Sequence, residues 1–135
     1  MIAEEIFMSA MALIDEMTSS GTLDETSVAE YRAKAPYLLT ILQSEIVGIE
    51  NRFKKTEDWE FPTRIETLED YVEIDDIKAQ TMLSYGLAAQ LMMHEDTSLA
   101  NFFESKYEEL RSMFLKPTAV KQEKIEDVYD ATLNY

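Results

Sequence analysis

The sequence predicts an all-α protein: a compact bundle of four to five helices with an irregular loop or short extended arm at about residues 56–74 and a C-terminal tail. Three observations lead there. Apolar residues recur at helical rather than alternating spacing along most of the chain. Glycine and proline, three of each, are too few for a turn-rich sheet protein. The 135 residues suit one core of ordinary size, so one helical domain at 1–116 and a tail at 117–135 are expected.

Each element has its own signal. Ile2, Ile6, Ala10, Leu13, Ile14 and Met17 fall on one helical stripe over about four turns. Thr18, Ser19, Ser20 and Gly21 then stop it, and Gly21 suits a left-handed exit. Thr22 and Glu25 have capping-box spacing, with Asp24 an alternative cap, so a helix should run from there to about Lys34. Pro36 interrupts, and the spacing leaves open whether it separates two helices or kinks one. Leu38, Leu39, Ile41, Leu42, Ile46, Ile49 and Phe53 carry the helical period on to about Lys55.

Residues 56–74 lack a helical stripe. Val72 and Ile74 alternate with Glu73 and Asp75, as in a short strand or extended arm. Asp75 or Asp76 caps a helix over about 76–94, whose stripe is Ile77, Thr81, Tyr85, Ala88, Leu91 and Met92. Gly86 inside it predicts close approach by another helix, because glycine otherwise only weakens a helix. Leu91-Met92 and Met93-His94 widen the apolar arc, which predicts a second neighbour. Asp96 or Thr97 caps the last long helix, striped by Leu99, Phe102, Phe103, Tyr107, Leu110, Met113 and Phe114 and ended by Lys116-Pro117. These last two helices should pair as an antiparallel hairpin. In the tail, Ile125, Val128 and Tyr129 keep i, i+3, i+4 spacing, enough for a short helix that docks on a neighbour or folds back, with a frayed end as the equal alternative.

Charge narrows the function. The formal net charge is −15 and acids outnumber bases in both halves of the chain. Such a surface repels phosphate backbones and anionic lipid, so neither sequence-specific nucleic acid nor membrane is an expected partner. No apolar run reaches the roughly 20 residues that span a bilayer. The opening MIAEEIF carries acids where a secretion signal needs positive charge, so a cytoplasmic protein is expected.

Chemistry finds little footing. With no cysteine and one histidine, most nucleophilic and metal architectures are excluded. Leu91 stands three residues before His94, where a di-iron bundle needs a glutamate. Glu69, Asp70, Glu73, Asp75 and Asp76 lack the glycine of a calcium loop. The three glycines stand apart and cradle no phosphate. The expectation is a non-enzyme with no metal and no cofactor. Met82, Met92, Met93 and Met113 on or beside the apolar stripes read as adaptable core filler or as a plastic contact surface.

The stretch IDDIKAQTMLSYGLAAQLMMHEDTSLANFFESKYEELRSMF resembles a helix pair of small virion proteins from bacteriophages of Gram-positive hosts. The shared features are an acidic cap, YGLAA, an ED turn, an aromatic pair and YEEL. AEEIFMSAMALIDE, DETS and YRAKAPYLLTILQ are similar to the N-terminal region of the same group. The resemblance covers about residues 3–45 and 74–115 and implies a head–tail connector: a small helical subunit that forms a ring between portal and tail. It implies partners in further copies of itself and in portal and tail proteins, and a place in the virion after a stage in the host cytoplasm. On this reading Trp59 and Phe61 in the loop, with Ile125, Val128 and Tyr129 in the tail, are the expected partner contacts. For Trp59 and Phe61 the competing expectation is a lid over the core. An acidic assembly chaperone or regulatory binding protein is the alternative function, and a DNA mimic ranks below it because the acids are scattered rather than regularly spaced.

Overall fold

The structure, a computed structural model, describes residues 1–115. It is an all-α bundle: α1 (Ala3–Leu13), α2 (Glu25–Asn51), α3 (Asp76–Lys78) running through a π turn into α4 (Ser84–Met92), and α5 (Thr97–Phe114). Among the described residues there are only two isolated β-bridges and no strand.

Helix α1 buries Ala3, Ile6, Phe7, Ala10 and Met11. It stops four residues before Met17, where the apolar stripe had placed its end. Asp15 takes the left-handed conformation (φ 62°), which aspartate tolerates better than most residues. The chain turns back there, and Met17 bridges to Leu23 instead of adding a helical turn. Gly21 is left-handed as expected (φ 82°), but it serves this turn rather than a helix exit. The Thr22 hydroxyl is bonded to Thr18, so Asp24 alone caps α2, accepting from the Thr26 N–H at 3.1 Å.

Helix α2 is one helix of 27 residues, about 40 Å long. Pro36 lies inside it, so it does not separate two helices, although it supplies no N–H to the ladder. The helix ends at Asn51, short of Lys55.

Residues 56–74 form a strap across the outside of the bundle. A 3-10 turn, Thr56–Asp58, opens it. Ile65, Leu68, Val72 and Ile74 then point into the core. The predicted alternation at Val72 and Ile74 is therefore real, yet it yields only a single antiparallel bridge, Tyr71 to Ile2. The strap also completes α1. Ile2 offers no side-chain cap. The orphan N–H groups of Ala3 and Glu4 instead donate to the carbonyls of Asp70 (2.9 Å) and Leu68 (2.8 Å).

The π turn, Ala79–Leu83, adds a residue and rotates the helix register. Ile77, expected on the buried stripe, is 63 % exposed, and Ala79, Met82 and Leu83 are buried in its place. Helix α4 packs on α1, α2 and α5 and is buried on several sides, the second neighbour its wide apolar arc predicted. Asp96 caps α5 through the Leu99 N–H at 3.0 Å. Phe103 and Tyr107 face the core, whereas Phe102 and Met113 of the predicted stripe face outward. Met82 and Met92 fill core space, and Met93 and Met113 lie at the surface.

Candidate interaction surface

The strap has no regular backbone partner, so polar side chains of α2 supply one. Gln43, 1 % exposed, donates its amide to the Thr63 carbonyl (3.1 Å) and accepts from the Glu73 N–H (2.7 Å). Asn51 does the same to one residue, accepting from the Glu60 N–H (3.0 Å) and donating to the Glu60 carbonyl (2.9 Å). Thr40 accepts from the Ile65 N–H at 3.0 Å. A primary amide carries one donor face and one acceptor face, so each imitates a β-ladder neighbour. Among the described residues no buried side-chain polar atom is left without a partner.

On the other flank, α5 is tied to α2 through Glu45. The Tyr107 phenol donates to Glu45, and Arg111 pairs with the same carboxylate at 3.2 Å while its guanidinium lies over the Tyr107 ring. Burial first, and Glu45 second, push the Tyr107 phenol well above its ordinary range, so it keeps its proton and acts as the donor. Tyr31 likewise donates to Glu95, which anchors the α4–α5 turn to α2.

Between these flanks α2 presents a bare face. Two open grooves run along it, of about 420 and 580 Å³. Both include Ser44, Gly48 and Arg52. The first is walled by Trp59, Glu60 and Phe61 of the strap, the second by Glu45 and Arg111. Nothing lies within 4 Å of where a Cβ at Gly48 would stand. Ile41 is 65 % exposed on the same helix, and beyond it the Arg64 guanidinium lies over the Tyr37 ring.

The loop residues singled out from the sequence both sit here. Trp59 is 42 % exposed and donates its indole N–H to the Lys54 carbonyl at 3.3 Å. Phe61 is 82 % exposed, so the cover over the core comes from Ile65, Leu68, Val72 and Ile74. Ile125, Val128 and Tyr129 lie outside the described residues. Sequence reasoning passed over Gln43, Asn51, Gly48, Arg52 and Arg111. Only the two amides left a signal: they lie eight residues apart, two turns along the buried side of α2.

His94 is exposed in the turn after α4. Among the described residues no three His, Cys, Asp or Glu side chains form a group that could hold a metal ion. No helix among them is long and apolar enough to cross a membrane. Compared with known proteins, the chain matches no family model, no curated protein and no solved structure.

Proposed function

We propose that the protein is a non-enzymatic bacteriophage structural protein of the head–tail connector type, assembling as a ring between portal and tail. It would join the virion from the host cytoplasm and work by binding copies of itself and neighbouring virion proteins. The observation that carries this reading is the presence of large exposed apolar side chains on two different elements. Ile41 is exposed on α2 and Phe61 lines one of its grooves, and Phe102 and Met113 are exposed on α5. A head-to-tail ring needs two such unlike surfaces, one for each neighbour. The sequence resemblance supports the same reading.

The test is the mass of the purified protein by light scattering behind a sizing column across a wide concentration range, alone and with portal rings. A closed oligomer of fixed stoichiometry, or stable addition to the portal, is expected. A monomer that ignores the portal at every concentration sinks the proposal. Replacing Trp59 and Phe61 by alanine should abolish assembly and leave the melting temperature unchanged. The exposed Met93 and Met113 favour the assembly-chaperone alternative, which predicts absence from finished particles.

A further inference from the structure

Gly48 needs a reason. Glycine is less favourable than alanine inside a helix. Here the backbone is helical and a Cβ would meet nothing within 4 Å, so the fold itself does not ask for glycine. What the missing side chain leaves is a floor of bare helix shared by both grooves. That floor lets another chain come close.

The charge of the floor's surroundings is unusual for this protein. Arg52 and Arg111 line it in a chain of net charge −15. Arg111 is already paired with Glu45, and Lys54 with Glu60. Arg52 forms no ion pair among the described residues. The occupant that fits is apolar on one side and acidic on the other. The chain carries such a segment close by. Ile125, Val128 and Tyr129 are interleaved with Glu123, Glu126, Asp127 and Asp130, against Lys124. It follows Leu115, which lies one helical turn beyond Arg111, itself part of the groove wall. The ten residues from Leu115 to Ile125 reach up to about 35 Å when extended. A tether of that length holds the segment at roughly millimolar effective concentration, which favours the same chain over a second copy.

We propose that residues 123–130 dock on the Gly48 face of their own chain, seating Ile125, Val128 and Tyr129 over the groove with an acid toward Arg52. The tail then shields this groove and its apolar wall, Trp59 and Phe61, until a partner displaces it. This inference stands apart from the connector reading, because its test concerns a single chain.

Trp59 is the one tryptophan in the sequence and forms part of the groove wall, so it reports on occupancy. In the full-length chain, replacing Ile125, Val128 and Tyr129 by aspartate should red-shift Trp59 emission and raise its quenching by acrylamide about twofold. The far-ultraviolet signal of the folded helices should persist, and the change should be the same from about 1 to 100 μM protein. A second variant attacks the groove: Gly48→Leu fills the floor. A nitroxide on Thr132→Cys, a unique thiol in this cysteine-free chain, should broaden the amide of Ser44 in the parent and lose that effect in Gly48→Leu. Unchanged quenching together with no broadening at Ser44 overturns the proposal. A change that grows with protein concentration overturns it too, because the occupant is then another molecule.

Discussion

Around Gly86 the bundle is closed on both sides, and around Gly48 it is open. A Cβ at Gly86 would stand 3.1 Å from the Tyr107 ring and 3.2 Å from a Leu42 methyl. Both neighbours are buried, and Tyr107 is pinned by its bond to Glu45. A Cβ at Gly48 would meet nothing. The two residues are chemically identical and both helical. The first is explained by the α4 seam with α2 and α5, where a side chain would hold the helices apart. The second is explained by nothing inside the described fold. Packing thus separates a surface that the fold consumes from one that it leaves for something else.

The sharpest way to break this contrast is to fill the seam. Gly86→Val should destabilise by about 3 kcal/mol, an overpacking cost at its upper range, because neither the pinned ring nor Leu42 can withdraw far. The denaturation midpoint in urea should fall with little change in slope. A loss below about 0.5 kcal/mol would mean that the seam is looser than its distances say.

The strap stands between the two extremes, since it is held by side-chain amides rather than by apolar packing alone. Gln43→Leu leaves the Thr63 carbonyl and the Glu73 N–H without partners. The expected cost is about 2 kcal/mol. Hydrogen exchange at the Glu73 amide should accelerate more than exchange in α4. Equal acceleration in both places would show that the strap does not open separately.

Acid should act on the strap and on α5 with opposite signs. The N–H groups of Thr67 and Glu66 both donate to the Asp70 carboxylate, at 3.0 and 2.8 Å, and hold it below its ordinary value of 3.8. Its stabilising effect is therefore complete above that value and fades as pH falls through the lower folded one. On α5, burial first and Glu108 second raise Glu104 above its ordinary 4.5. Acidification through that window relieves a strain, so Glu104 contributes a gain in stability before Asp70 contributes a loss. Titrating the unfolding midpoint of Asp70→Asn and Glu104→Gln against the parent should remove the lower and the upper feature respectively. Identical pH profiles for all three proteins would refute both assignments.

Much of this contrast was legible beforehand, and the misses have physical causes. Helical period located α2, α4 and α5, and Gly86 within an apolar stripe announced a close neighbour. The stripe did not announce that Asp15 would reverse the chain, because a left-handed aspartate leaves the apolar spacing intact. Nor did it foresee Ile77 facing outward, since a π turn inserts its extra residue without any marker in the pattern. The spacing of Gln43 and Asn51 put both on the buried side of α2, but their partners could not be read, because these are backbone groups of the strap, whose path no periodicity describes. The bare face at Gly48 escaped for a related reason. Sequence spacing shows where side chains fall, and a groove is defined by where they do not.

The smallest expected effect is also the most telling about that face. Gly48→Ala adds a methyl group into open space and removes the conformational freedom of glycine from the unfolded chain. It should stabilise the isolated protein by up to about 1 kcal/mol, read from the same urea midpoint. If the α2 face serves binding of a virion partner, the added methyl raises the floor and that contact should weaken while stability rises. Opposite movement of stability and binding in one variant is something a merely structural glycine does not produce. A loss of stability in Gly48→Ala would instead mean that the face is already covered in the isolated chain, as a docked tail would cover it.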